Sequence, residues 1–311
     1  MEEAPSEIAA VAHRVAHGGA EFREPVLIDD EVARRLAEVT ELAPLQNGPA
    51  LAAIEEARRL CTDVPHVAVF DTAFHATIPD EASTYALPRS LRDDLGIRRY
   101  GFHGLSVQWA AERVSAARLV VCHLGGGCSI TAVRGGRSLD TTMGFTPLEG
   151  VPMATRSGSV DPGALLHALR RGVSPDELER VLEQESGLAG LSGISSRVEE
   201  LERSGEPGAE LALAVYAYRI ACAVGGLAVA LEGLDALVFT AGVGENSAGV
   251  RAAVCGRLGF LGVELDQVAN ASARPDADIA APGSPVRVVL LRAREDLVAA
   301  RAARALLGLA G

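Results

Sequence analysis

The residues of this chain best suited to chemistry are arginines, histidines, one aspartate and two glycine clusters, and their spacing suggests equipment for holding phosphate. Residues 119–133 read LVVCHLGGGCSITAV. The apolar, β-branched start predicts a buried strand, Gly125, Gly126 and Gly127 a turn, and residues 129–133 a returning strand. Three glycines can turn bare backbone N–H groups toward an anion and admit a phosphate where a Cβ would block it. An ordinary glycine hairpin turn fits the same residues. A second cluster, Gly242-Val243-Gly244-Glu245-Asn246, follows the apolar run 236–241, with Ser247 placed to cap a helix over 248–258. Strand, glycine loop and helix N-terminus suit a phosphate or nucleotide, because orphan N–H groups and the helix dipole favour anions there.

Three single residues stand out beside these loops. Asp71 ends a short apolar strand over 66–70, at the edge where open α/β sheets bind ligands, though an acid there also caps helices or bonds loops. His103 sits between Gly101 and Gly104 just before a helix, placed either to face a ligand or to make a structural hydrogen bond. Arg156 is the conspicuous charge of 143–162, a stretch dense in Gly, Pro and Thr with no helical or strand period, and such long irregular loops are usually functional. All 29 basic residues are arginine. The absence of lysine excludes a Walker A lysine, a pyridoxal Schiff base and a lysine general base. Phosphate chemistry here would rest on arginine, histidine, backbone amides and metal.

The elements that must position these groups form an α/β pattern. Residues 8–17 alternate as a strand, with Val11, His13, Val15 and His17 on one face and Ala12, Arg14 and Ala16 on the other. Helices are expected over 30–39 and 49–61, with 42–49 as a loop stiffened by two prolines. A helix over 106–117 follows His103, and Arg134 to Arg137 make a turn. Residues 162–201 read as helical with a Gly/Ser break at 188–196, and 207–232 as a long, apolar and therefore buried helix. The last strand, 286–291, leads to Glu295, which lies near a helix start where N-terminal capping is the alternative to a ligand role.

With 311 residues and 48% hydrophobic content, the chain can build a large core. A net charge of -12 argues against a nucleic-acid partner. The longest apolar runs look too short and too Gly/Ala-rich for a membrane span, and the acidic start MEEAPSE is unlike a secretory signal, so a cytoplasmic protein with no membrane partner is expected. Five scattered cysteines without a CxxC pair indicate neither a disulfide framework nor a zinc site. Reduced, buried thiols are expected instead.

The motifs AHRVAHGG (12–19), ELAPLQN (41–47), VFDTAFH (69–75), RRYGFHG (98–104), CHLGGGCSITAV (122–133), MGFTPLEG (143–150), TRSGSVDP (155–162) and FTAGVGENS (239–247), with the acidic pair at 295–296, resemble acetate kinases. They do so in order and along essentially the whole chain. The resemblance implies the two-domain actin-like ATPase (ribonuclease H-like) fold of the sugar kinase, Hsp70 and actin superfamily. It implies ATP-dependent phosphorylation of a short carboxylate, acetate and ATP giving acetyl phosphate and ADP, and the reverse, on the route to acetyl-CoA. It also implies Mg²⁺, with Mn²⁺ as substitute, and a homodimer formed through the second domain. By the same resemblance Arg14 and Arg156 hold the carboxylate and the transferring phosphoryl group, Asp71 is the catalytic acid and His103 donates to γ-phosphoryl oxygens. His123, Leu124, Gly125, Gly126 and Gly127, together with Gly242, Val243, Gly244, Glu245 and Asn246, would bind ATP or ADP. Arg197, Val198 and Glu199 would face the adenosine, and Glu295 would hold the metal. Ala16, Leu45, Phe102 and Pro147 would line the acyl pocket. Where acetate kinases commonly carry valine this chain has Ala16, which makes room for one more methylene, so propionate is expected to serve about as well as acetate.

Some departures accompany the resemblance. Family members begin with a strand and an Asn- and Ser-rich phosphate loop bearing a lysine, which has no counterpart in this sequence. The expected division is an incomplete N-terminal domain, residues 1–74 with 296–311, and a C-terminal nucleotide-binding domain, residues 75–295. The chain as given is expected to turn over little, and a catalytically inactive nucleotide-binding homologue is the alternative reading. Gln46 stands for the family's histidine, Gly126 for its asparagine, and Ser196-Arg197-Val198-Glu199 for a segment that usually holds an acidic residue and an arginine.

Overall fold

A computed structural model describes residues 8–40 and 43–309, without the side chains of Pro44 and Leu45. The predicted place of Leu45 in the acyl pocket therefore lies outside the described residues. A first sheet holds β1 (Val11–Val15), β2 (Val26–Leu27) and β3 (His66–Phe70) in the order β1-β3-β2. β1 runs parallel to β3, with Arg14 opposite Val69 and Val15 opposite Phe70. Both strands therefore end at one edge of the sheet, and Asp71 follows there. Helices α1 (Asp30–Val39) and α2 (Pro44–Leu60) cover one face, where Val15, Phe22, Leu36, Ile54 and Phe70 form a core.

The expected loop over 42–49 is instead the first part of α2. Pro44 occupies its first turn, where the missing N–H costs nothing. Pro49 lies inside the helix. Buried Asn47 offsets that local penalty with long-range bonds: its Oδ1 accepts from the His17 N–H at 3.0 Å and its Nδ2 donates to the His17 carbonyl at 2.9 Å.

After β3 come the short helices α3 (Asp80–Ser83) and α4 (Arg89–Asp94), then α5 (Gly104–Arg113). The second sheet comprises β4 (Arg118–Leu124), β5 (Cys128–Arg134), β6 (Arg137–Thr141), β7 (Ala236–Thr240), β8 (Ala277–Asp278) and β9 (Arg287–Leu290), ordered β6-β5-β4-β7-β9-β8. The central β4, β7 and β9 are parallel and the flanking pairs antiparallel. Burial on both faces accounts for the continuous apolar runs of β4 and β7. The β4–β5 hairpin around Gly125–Gly127 matches the sequence reading.

Between β6 and β7 the chain forms α6 (Pro162–Arg170), α7 (Pro175–Gln184), α8 (Gly187–Ser192), α9 (Val198–Ser204) and α10 (Pro207–Leu231). The expected break at 188–196 is thus largely a short helix. The α10 helix packs Tyr216, Ile220, Val224 and Leu231 into the main core but exposes Leu211, Tyr218 and Val229, so it is two-faced rather than wholly buried. Its length and apolar composition alone would suffice to cross a membrane.

Beyond β7 lie α11 (Ala241–Asn246), α12 (Ala248–Cys255), α13 (Gln267–Ser272) and α14 (Glu295–Leu306). The second glycine cluster is therefore a helical turn rather than a loop, entered through Ala241 at φ 65°. Ser247 caps α12 as expected, accepting from the Val250 N–H. Val298, Ala299 and Ala303 of α14 pack on Val67 and Val69 of β3 and on Leu105 of α5, which brings Glu295 to the first sheet's edge. Cys122, Cys128 and Cys255 are buried free thiols as expected, whereas Cys222 is exposed.

Candidate active site

Charge collects where β1, β3 and α14 meet. Arg14 reaches Asp71 from two nitrogens, Nε to Oδ1 at 3.0 Å and Nη2 to Oδ2 at 2.6 Å, and places Nη1 3.0 Å from Glu295 Oε2. Burial works against the Arg14 charge, and Asp71 and Glu295 more than restore it, so its pKa is raised. Asp71 is only 2% exposed. Its backbone is fixed at both ends, its N–H donating to the Val15 carbonyl and its carbonyl accepting from the Gly104 N–H, each at 3.0 Å. A Cβ at Gly104 would lie 2.0 Å from that carbonyl oxygen, so only glycine allows α5 to start there.

The residue before that glycine is His103, held in a left-handed conformation at φ 58°. Its ring stacks on His123 with centroids 4.0 Å apart, and its Nδ1 meets Ser129 Oγ at 3.0 Å. His123 Nδ1 in turn meets Ser106 Oγ at 2.9 Å. Burial, then the neighbouring His123, Arg14 and Arg156, push the His103 pKa well below its ordinary value. Burial and Arg14 bring His123 down to about 3. Both rings are therefore neutral at ordinary pH and act as N–H donors or acceptors rather than cations.

The glycine turn lies directly against this group. A Cβ at Gly127 would come 3.2 Å from both His103 Nε2 and Arg156 Nη1. Arg156 donates through Nη1 to the Pro147 carbonyl at 3.3 Å and sets Nε 3.4 Å from Glu183 Oε2. Thus Arg14, Asp71, His103, His123, Gly127, Pro147, Arg156 and Glu295, scattered through the sequence, come together in one place.

Two residues predicted to line an acyl pocket, Ala16 and Phe102, are linked through His17, a fully buried ring to which the sequence assigned no role. It follows half-buried Ala16, packs edge-on against Phe102 with centroids 5.3 Å apart, and accepts the Gly19 N–H at Nδ1. That leaves the proton on Nε2, which donates to the Phe145 carbonyl at 3.3 Å. Burial lowers its pKa to about 4.

Next to the glycine turn opens a cleft of about 840 Å³ lined by Gly125, Gly126, Arg197, Val198, Glu199, Gly242, Val243 and Asn246. Other residues predicted to bind nucleotide have different positions. His123 and Leu124 lie in β4, buried. Gly244 is buried and its carbonyl accepts from Arg251. Glu245 spends its Oε1 on the N–H groups of Ala241 and Ala293, at 3.1 and 2.9 Å, tying the ends of β7 and β9 together. Glu202 also lines the cleft, and its Oε1 accepts from Ser247 Oγ at 2.6 Å.

A divalent cation finds suitable groups beside Arg14. Glu295 Oε1 is buried with no hydrogen-bond partner among the described residues, and burial raises the pKa of its carboxyl against the pull of Arg14. No cluster of three acidic, histidine or cysteine side chains suited to a metal occurs among the described residues. Mg²⁺ does not need one, since it binds through one or two carboxylates, waters and substrate phosphates. Glu295 with Asp71 fits that mode.

Comparison with known proteins decides the family: the acetokinase family model matches residues 1–301. This chain belongs to the acetokinase family. The acetate kinase of Synechococcus sp. (strain JA-2-3B'a(2-13)) is 49% identical over 313 residues, covering 97% of this chain and 77% of that protein. The acetate kinase of Geobacillus kaustophilus (strain HTA426) is 46% identical over 307 residues, covering 95% and 78%. Among solved structures, acetate kinase of Porphyromonas gingivalis superposes with a TM-score of 0.91 at 38% identity, over 98% of this chain and 79% of that one. A propionate kinase of Francisella tularensis superposes with a TM-score of 0.90 at 36% identity, over 95% and 78%. The acetokinase chain therefore has the actin-like ATPase fold of these enzymes and is an ATP-dependent phosphotransferase with a carboxyl group as acceptor. The family match over residues 1–301 gives no support to the alternative of an inactive remnant.

Proposed function

We propose that the chain phosphorylates acetate, and propionate nearly as well, through direct transfer from ATP. The observation that carries this reading is the convergence of Arg14 and Arg156, from stretches of sequence far apart, on His103 beside Gly127. A carboxylate is already a nucleophile, so no strong base is required: its oxygen bonds to the γ-phosphorus while the β–γ bridging P–O bond breaks and ADP leaves. What the protein must supply is charge neutralisation and aim. Arg14 and Arg156 hold the acceptor carboxylate and the moving phosphoryl group, and the neutral His103 donates to its oxygens. Asp71 fixes Arg14. Bound Mg²⁺ or Mn²⁺, held by Glu295 and Asp71, would neutralise the phosphate chain. The nucleotide lies in the cleft along Gly125, Gly126 and Gly242–Asn246, its adenosine toward Arg197, Val198 and Glu199.

Ala16, beside the His17–Phe102 pair, leaves room for the propionyl methyl group. The working unit is a cytoplasmic homodimer, with the exposed Leu211, Tyr218 and Val229 of α10 on the contact surface. Residues 1–74 with 296–311, which carry the first sheet and nearly all of α14, and residues 75–295, which carry the second sheet, act as the two domains of the cleft. A hydroxamate assay for acyl phosphate tests the activity. Acetate and propionate should give kcat/KM values within roughly three-fold, because the space beside Ala16 accepts the extra methylene that a filled pocket would reject by about ten-fold or more. Absence of acyl phosphate from both would overturn the reading, and a strong preference for acetate would overturn its propionate part.

A further inference from the structure

The site's two arginines are held very differently. Arg14 is gripped by two carboxylates through three nitrogens. For Arg156, Glu183 is the one carboxylate within ion-pair distance among the described residues, and the contact at Nε is 3.4 Å, longer than a good hydrogen bond. Nη1 points at the Pro147 carbonyl and the Met153 sulfur, and Nη2 makes no hydrogen bond among the described residues.

The backbone around Arg156 is by contrast rigid, and it is built on the same end of α7. Ser157 N–H donates to the Leu182 carbonyl at 3.0 Å, Thr155 Oγ1 to the Glu183 carbonyl at 2.9 Å, and Ser186 N–H to the Thr155 carbonyl at 2.9 Å. A Cβ at Gly187 would come 2.7 Å from the Arg156 carbonyl, so the next helix is pressed against the loop as well. Like Leu178, Val181 and Leu182, Glu183 lies on the half-buried side of α7; its side chain is 12% exposed and makes no hydrogen bond among the described residues. Among the described residues its partner of opposite sign is Arg156, and Glu179 on the same helix is the like charge facing it.

We infer that Glu183 is a positioning residue for the phosphoryl-holding arginine: its carboxylate draws Nε back along the α7 end and so aims the two Nη groups at the glycine turn. The long contact matters. A bidentate pair would hold the guanidinium in place and compete with the phosphoryl anion, whereas a single charge at 3.4 Å orients it and leaves Nη2 available while Nη1 rests on the Pro147 carbonyl. Because the contact works by charge, a neutral isostere does not replace it. Burial holds the Glu183 carboxyl above its ordinary range, so in weak acid it takes a proton and releases Arg156.

This inference rests on the carboxylate-kinase reading, and Glu183→Gln tests it in the direction from acyl phosphate and ADP. Relative to the unaltered chain, kcat should fall roughly ten-fold while the KM for acyl phosphate changes by less than about three-fold, as expected for lost aim. The decline of kcat toward low pH that Glu183 contributes should also vanish, which a general loss of stability would not produce. Turnover by the unaltered chain is the control: its absence would defeat the function itself. The ¹⁵N–¹H resonance of Arg156 Nε gives an answer that does not need turnover. It should shift with pH in the unaltered protein and lose that shift in Glu183→Gln. An unchanged kcat and acid limb in the variant, or an Nε resonance indifferent to Glu183, would overturn the inference.

Discussion

Arg14→Ala removes the one cation between two acids, and the structure lets the consequence be followed with pH. Asp71 is buried and the Glu295 side chain only 21% exposed, so the variant leaves two adjacent carboxylates with little water and no partner. Breaking a fully buried pair costs roughly 3–5 kcal/mol. Arg14 is itself 44% exposed, and water screens part of the loss, so about 2 kcal/mol is the reasoned figure. The pH dependence is the sharper part. Burial already raises the Glu295 pKa in the folded state, with Asp71 and Asp296 adding to it and Arg14 opposing. Without Arg14 the folded pKa climbs further above the unfolded value of about 4.3. Over the window between those two values the native state binds more protons than the unfolded state, so stability rises as pH falls. The deficit of Arg14→Ala should therefore be full at about pH 8 and shrink toward about pH 5 as Glu295 protonates. Urea unfolding of both proteins at the two pH values measures it. An equal deficit at both would refute the coupling of Arg14 to Glu295, and a deficit below about 0.5 kcal/mol would refute the energetic argument as a whole.

Three further substitutions probe other contacts. Ala16→Val should leave acetate turnover within about two-fold and cut kcat/KM for propionate roughly ten-fold, measured by acyl hydroxamate formation, because two carbons return to the acyl pocket. Ser129→Ala removes the Oγ that meets His103 Nδ1, and kcat should fall about ten-fold with the KM for ATP little changed. Gly104→Ala would press a Cβ to 2.0 Å from the Asp71 carbonyl, and thermal unfolding should report a loss of more than about 2 kcal/mol.

How much of this was legible in the sequence depends on whether a residue's role is local. The β4–β5 hairpin was, because apolar alternation and three glycines act over a few residues. β6 was not: RSLDT is short and polar, and it is a strand only because β5 offers it an edge. Prolines at 44 and 49 argued for a loop, and helix α2 prevails through Asn47, whose partner His17 lies thirty residues away. The chemical residues emerged largely through family motifs, while their supports did not. Ser129, a hydroxyl within the apolar stretch CSITAV, was a signal that could have been read, since a buried hydroxyl needs a partner. Glu183 gave no such signal, being one acid among several in the polar helix PDELERVLEQ.

The site also has an order of assembly written into it. Arg14 and Asp71 belong to the first sheet, and Glu295 opens α14, which follows every other described element along the chain. During synthesis the ribosome would release all three strands of that sheet, and the whole nucleotide cleft, before the helix that covers β1 and β3 exists. Until then Arg14 lacks its second carboxylate, and Val67, Val69 and Leu105 lack their α14 cover. A nascent chain stalled short of residue 295 would thus expose a greasy patch recognisable to a chaperone and would lack the Glu295 carboxylate proposed to hold the metal. On the proposed function, catalysis would then have to wait until α14 has emerged and docked on β1 and β3.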